Sequence, residues 1–153
     1  MENQSAFETF ELNLTEEIQG YLREIAKWAY FLSILGFIGL GLMVFFGLFF
    51  GAIMGAVAND AYAMGYSAGM GMIYVVLALI YFFPILYLFK FAKKMKAALN
   101  SKNNGELTSA FSNLKSHYKF IGIFTVVILS IYLLIFIVAI IGFISLGLGL
   151  IAL

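Results

Sequence analysis

The sequence contains no cysteine and only one proline, one histidine and one tryptophan in 153 residues. Without cysteine there is no disulfide and no thiolate chemistry, so cysteine usage says nothing about the redox compartment. Charge is scarce as well. Asp, Glu, Lys and Arg make up 11% of the chain and hydrophobic residues 63%, whereas about a quarter of a soluble domain is charged. The composition therefore excludes an ordinary soluble domain and predicts a membrane protein.

Long runs without any charge account for this composition. The three runs are Trp28 to Asn59, Ala61 to Phe89, and Phe120 to Leu153. A helix that crosses a membrane needs about 20 apolar residues, so each run supplies one span but not two spans and a turn. We predict spans at about 29–56 and 68–89, and a third helix over 120–153. Pro84 lies inside the second span, where it removes a backbone hydrogen bond and predicts a helix kink.

Two polar segments precede and separate the spans. Residues 1–27 carry six glutamates, and apolar residues from Leu14 to Trp28 recur three and four positions apart, as on one face of a helix. This segment is predicted to be an acidic tail followed by an amphipathic helix on the membrane surface. Residues 90–119 hold seven of the nine basic residues and predict a basic helical hairpin with a turn at 100–105.

The basic residues also predict the orientation of the protein. Positive residues in short loops stay in the cytoplasm, and all nine lie in segments 1–27 and 90–119, while the loop at Asp60 has none. We expect the N-terminus and residues 90–119 inside and the C-terminus outside. Because the start has no basic region before a short apolar core, the first span is expected to act as an uncleaved signal. The predicted fold is an all-α polytopic membrane protein with three spans, an N-terminal surface helix and a cytoplasmic helical hairpin.

Glycines recur every fourth residue in a series of three before the first loop and in a pair after it. They are Gly47, Gly51, Gly55, Gly65 and Gly69. Glycine lets two helix backbones approach closely, which matters in lipid because apolarity does not draw helices together there. Two interpretations remain open: packing of the first span on the second within one chain, or a seam with another copy or a partner protein.

Eight basic residues are candidates for contact with lipid headgroups. They are Arg23, Lys27, Lys90, Lys93, Lys94, Lys96, Lys115 and Lys119. A basic residue near an anionic leaflet gains about 1 kcal/mol. The other interpretation is that these residues serve only as the topology signal. Nucleic-acid binding is not expected, since no separate basic domain exists.

Residues that carry chemistry do not form a recognisable set. His117 has no acidic neighbour in the sequence except Glu106, and Asp60 is read as a turn residue. Four methionines near the first loop have the soft donors that Cu(I) prefers, but no cysteine or histidine accompanies them. We therefore predict no catalytic, cofactor-binding or metal-binding residue and no enzyme activity.

The stretch YLREIAKWAYFLSILGFIG, Tyr21 to Gly39, resembles a family of small uncharacterised bacterial integral membrane proteins at the opening of their first span. A later similarity lies at Lys119, Phe120 and Gly122. The resemblance implies a location in the bacterial inner (cytoplasmic) membrane. It implies no activity, because the family has none assigned.

These observations together predict a small non-catalytic inner-membrane protein that is a structural or interaction component of a homo- or hetero-oligomeric assembly. Its expected partners are the lipid bilayer and either further copies or another membrane protein. The alternative function is an oligomeric channel or carrier for a small solute, lined by Ser, Thr and Tyr. A third is lipid handling through the basic hairpin. If the glycines form a seam between subunits, Gly51→Ile should reduce assembly.

Overall fold

The structure, a computed structural model, describes residues 14–151, with the side chains of residues 14–145. This part of the chain forms three long helices and no strand: α1 (Glu16–Ala56), α2 (Ala61–Ser101) and α3 (Asn104–Ile151). Each is long and apolar enough, by length and composition, to cross a membrane. The predicted all-helical class with three long apolar helices is thereby confirmed. The predicted acidic tail, residues 1–13, and the last two residues of the third run lie outside the described residues.

A polar side chain caps the start of each helix. The Thr15 hydroxyl accepts a hydrogen bond at 3.4 Å from the N–H three residues further on in α1. The Asp60 carboxylate does the same for α2 at 2.7 Å, and the Asn103 side-chain oxygen accepts from the N–H of Gly105 at 2.8 Å in α3. Such caps satisfy N–H groups that lack a partner within the helix. Asp60, read from the sequence as a turn residue, is thus the cap of α2.

The helices are longer and the connections shorter than the sequence pattern indicates. α1 is unbroken from Glu16, so the amphipathic segment is continuous with the first long apolar run. Its place on the membrane surface stays a prediction. α2 begins at Ala61, directly after its cap, rather than at 68. Between α2 and α3 only Lys102 and Asn103 are non-helical, and Lys102 adopts the left-handed conformation with φ 51°.

The charged residues of the described chain other than Asp60 collect at one end of the three helices. A helix of 41 residues such as α1 or α2 is about 60 Å long, whereas the hydrocarbon of a bilayer is about 30 Å thick. A helix of this length is therefore about twice as long as the hydrocarbon layer is thick. We call the end formed by residues 16–30, 88–101 and 104–119 the basic end, and the end with the loop 57–60 the far end.

The buried core lies at the basic end, and α2 occupies the centre because it packs against both α1 and α3. Phe91 and Met95 of α2 are 1% and 0% exposed. The core residues, which come from all three helices, are Ala26, Ala29, Phe91, Ala92, Met95, Leu99 and Ala110. Large side chains of α2 thus fill the space against small alanines of its neighbours.

Candidate functional site

Three of the predicted packing glycines lie on one seam between α1 and α2. A Cβ at Gly47 would overlap the Cβ of Tyr74, and one at Gly51 would lie 3.1 Å from the Ser67 carbonyl oxygen. A Cβ at Gly55 would lie 3.1 Å from the Ser67 hydroxyl. Only glycine permits this approach at Gly47, because real Cβ atoms are essentially never found so close to another atom. In this structure the three glycines therefore pack α1 against α2 of the same chain.

Gly65 and Gly69 lie elsewhere, although they continue the four-residue spacing. A Cβ at either position would meet no atom within 4 Å. At 100° per residue, each is turned by about 160° from the seam residue two positions further along α2. These two glycines therefore lie on a face of α2 turned away from α1 and uncovered by the described chain.

The buried polar side chains of the described helices, Ser33 and Ser67, bond to their own helices. The Ser33 hydroxyl donates to the Tyr30 carbonyl at 2.7 Å, and the Ser67 hydroxyl donates to the Met64 carbonyl at 2.9 Å. Each carbonyl lies one turn earlier in the same helix, a usual way to satisfy serine in a span. Small size, which allows close packing, is what these residues contribute to the seam.

A cavity of about 650 Å³, which we call the basic cavity, opens between α1 and α2 at the basic end. Four basic side chains line it: Arg23 and Lys27 from α1, and Lys93 and Lys96 from α2. The other lining residues are Ala26, Tyr30, Ala92, Ala97, Leu99 and Asn100, so no acidic residue of the described chain lines it. The alanines leave the space open, because their side chains are too short to fill it.

Aromatic rings hold part of this cavity in place. The Lys93 ammonium lies 5.4 Å from the centroid of the Phe89 ring, within the range of a cation–π interaction. Phe89 in turn stacks on Tyr30 of α1 with centroids 5.4 Å apart. These contacts join α1 and α2 at the point where their uncharged runs meet the charged segments.

The remaining predicted lipid-contact residues are separated from the cavity. Lys94 points to α3, where its ammonium lies 3.0 Å from a carboxylate oxygen of Glu106. Lys90, Lys115 and Lys119 are exposed and do not line the basic cavity. The structure thus brings together four of the eight basic candidates and pairs a fifth with an acid.

His117 and Pro84 form a contact that the sequence pattern did not reveal. The His117 Nδ1 lies 2.7 Å from the Pro84 carbonyl oxygen, and since a carbonyl only accepts, Nδ1 is the donor. Pro84 is buried inside α2, which continues through it; the predicted kink stays a prediction. The one signal in the sequence was position, since the two residues lie at similar distances before and after the α2–α3 turn.

The far part of α3 has no such partners. The Tyr81 and Phe124 rings contact each other edge to face at 5.2 Å between α2 and α3. From Leu129 to Ser145 every side chain is exposed. The most apolar stretch of the described chain is therefore also the part that the chain itself does not cover.

The described residues contain no group of three or more His, Cys, Asp or Glu side chains that would hold a metal ion.

The model of a family of unknown function, DUF5362, matches residues 61–141, which is more than half of the chain. The chain belongs to this family. The DUF5362 match covers α2, the turn and most of α3, and it confirms the predicted membership of a family of unknown function. It does not include Tyr21 to Gly39, where the resemblance was seen.

As a DUF5362 member the chain gains no activity from its family, because the family's function is unknown. No curated protein and no solved structure matches the sequence. The matched region contains the His117–Pro84 contact and the Lys94–Glu106 pair. The basic cavity combines two basic residues inside the match, Lys93 and Lys96, with two from α1 outside it, Arg23 and Lys27.

Proposed function

We propose that the protein is a small non-catalytic component of a bacterial inner membrane that works as part of a homo- or hetero-oligomeric assembly. In this proposal the basic end lies in the cytoplasm, with the first turns of α1 at the membrane surface and the α2–α3 turn as the tip of a helical hairpin. The observation that carries the assembly role is the uncovered far part of α3, Leu129 to Ser145.

The uncovered part of α3 supports an assembly role because helices associate in a membrane through close packing. Lipid tails are as apolar as leucine, so helices associate in a membrane where small residues let them fit together. α1 and α2 use such residues on each other, whereas Gly65 and Gly69 offer the same kind of surface on the outer face of α2 with nothing against it. Within the described residues, the far half thus has an open small-residue face on α2 and a bulky stretch of α3 that no other helix covers.

A second copy of the chain would supply both surfaces at once. The bulky side chains of one α3 would lie against the Gly65 and Gly69 face of the other α2, and the reciprocal contact would form by symmetry. Closed two-fold arrangements of this kind are the commonest among homo-oligomers. This supports a homo-oligomer as the first assembly to test.

The test compares two double variants. Gly65→Ile with Gly69→Ile fills the open face of α2, and Gly39→Ile with Gly41→Ile makes the same change on α1, where a Cβ also meets nothing within 4 Å. We expect native mass spectrometry of protein extracted gently from its host membrane to show an oligomer that the first pair reduces several-fold and the second pair leaves intact. Wild-type protein found only as a monomer would contradict the proposal.

Gly51→Ile is not a suitable variant for this purpose. Gly51 faces Ser67 and Gly71 of the same chain, so the substitution disturbs the α1–α2 pair before it reaches any contact between copies.

The alternative function, a channel or carrier, is distinguished in the same preparation. Solute flux into proteoliposomes, absent from empty vesicles, would favour transport over a purely structural role.

A further inference from the structure

The geometry points to the basic cavity as a binding site for the phosphate headgroup of an anionic phospholipid. The cavity gathers Arg23, Lys27, Lys93 and Lys96 without an acidic lining residue in the described chain. This inference is independent of whether the protein assembles with other copies.

Charge is the first reason. Arg23 and Lys27 lie one turn apart on α1, and Lys93 and Lys96 lie one turn apart on α2. Like charges at such spacings oppose each other on a helix, and here the two pairs also face a common space. By contrast, the neighbouring Lys94 is paired with Glu106. Glu24 lines the neighbouring groove together with Arg23 and Lys27 and offsets part of this charge. An anion in the cavity would offset the repulsion that remains.

Depth in the membrane is the second reason. The uncharged run of α1 begins at Trp28 and that of α2 ends at Phe89, and the cavity extends from Tyr30 and Arg23 to Asn100 across this boundary. Headgroup phosphates lie at the edge of the hydrocarbon layer, so the cavity is at their level. Basic pockets between membrane helices on the cytoplasmic side are a recurrent way to bind acidic headgroups.

Size and donor chemistry are the third reason. A volume of about 650 Å³ falls within the usual range of small-molecule sites. The guanidinium of Arg23 can donate two parallel hydrogen bonds to one phosphate. The buried alanines Ala26 and Ala92 leave the space empty, and the acyl chains of the lipid would continue along the apolar surfaces of α1 and α2.

Trp28, the only tryptophan in the chain, makes the test direct. It lines a second groove that shares Arg23 and Lys27 with the basic cavity. The full chain is placed in phosphatidylcholine vesicles that contain either brominated phosphatidylglycerol or brominated phosphatidylcholine, and quenching of Trp28 fluorescence is measured. We expect stronger quenching by the anionic lipid.

A matched pair of variants separates the site from general surface charge. Lys93→Gln with Lys96→Gln removes two charges from the cavity, and Lys115→Gln with Lys119→Gln removes two from α3 at the same end. One basic residue at an anionic surface is worth about a fivefold change in affinity. Exposed lysines at the same surface contribute through this general attraction alone, so the first pair should lower the preference for phosphatidylglycerol at least about fivefold more than the second pair does. The conservative pair Lys93→Arg with Lys96→Arg should retain the preference.

Three outcomes would overturn the inference. They are equal quenching of the wild type by both lipids, an equal loss of preference in both glutamine pairs, and displacement of the anionic lipid by inorganic phosphate at an ionic strength matched with chloride. The last result would assign the cavity to a free phosphate in place of a lipid. Circular dichroism of each variant in the same vesicles confirms that an altered preference does not come from unfolding.

Discussion

α2 packs against its two neighbours in different ways. Against α1 it is in contact from Tyr30 and Phe89 at the basic end to Gly55 and Ser67 near the loop. Against α3 the packing begins at the turn, includes the Tyr81–Phe124 contact, and gives way to exposed side chains beyond it. Two helix pairs of similar length and apolarity therefore differ in how much of that length they share.

The difference follows from the size of the residues rather than from their hydrophobicity. The α1–α2 seam has glycine, alanine and serine on both sides, whereas twelve of the 17 residues from Leu129 to Ser145 of α3 are Ile, Leu, Val or Phe. In water the second stretch would be the more strongly buried. In lipid it gains nothing from burial by itself, and only small residues bring backbones close enough for extensive packing.

The largest expected effect comes from the core at the basic end, where all three helices meet. Phe91→Ala should lower the free energy of unfolding by about 3–5 kcal/mol, since it leaves a cavity among buried side chains. The matched change is Phe136→Ala in the uncovered part of α3, where 62% of the side chain is exposed. We expect a change there within about 0.5 kcal/mol. Unfolding in mixed micelles with increasing dodecyl sulfate measures both, and equal losses would contradict the comparison.

The next effect concerns the seam between α1 and α2. Gly47→Ala places a methyl group against Tyr74 and should destabilise the protein by about 1–3 kcal/mol, as overpacking does. Gly39→Ala adds the same methyl group where nothing lies within 4 Å and should leave stability unchanged or slightly raised. The same unfolding experiment applies. If Gly47→Ala were as harmless as Gly39→Ala, the seam would not require glycine at that position.

The smallest effect tests the packing of α2 on α3. His117→Phe keeps a ring but removes the donor to the Pro84 carbonyl, which should cost about 1 kcal/mol. Tyr118→Phe, on the exposed neighbouring residue, is the control and should have no measurable effect. Loss of the hydrogen bond can be followed independently by the 15N chemical shifts of the His117 ring. Unchanged ring shifts under conditions that separate α2 from α3 would argue against this contact.

Particular residues explain how far the sequence predicts this structure. The three long helices follow from runs without charge, because a membrane imposes a minimum length on each span. The turn at Lys102 and Asn103 lies inside the predicted turn at 100–105 but is shorter, because composition alone does not show where the flanking helices end. There Asn103 caps α3, and Asn104, Gly105 and Glu106 are already helical.

Side-chain partners across helices were harder to predict than the helices themselves. A four-residue glycine spacing does not distinguish Gly51, which faces Gly71, from Gly65, which faces open space. That distinction depends on the rotation of α2 about its axis, which is fixed by its contacts with α1. Likewise, eight scattered basic residues contain no indication that four of them line one cavity.

Because α1 and α2 precede α3 in the chain, the contacts between them have a consequence for the order of folding. A ribosome releases both helices of that pair before any of α3, and the seam residues from Gly47 to Tyr74 need nothing that is synthesised later. N-terminal units generally fold first during synthesis, so we expect a hairpin of α1 and α2 to form in the membrane while α3 is still being translated. The third helix would then attach through the basic end, with its apolar length left in contact with lipid.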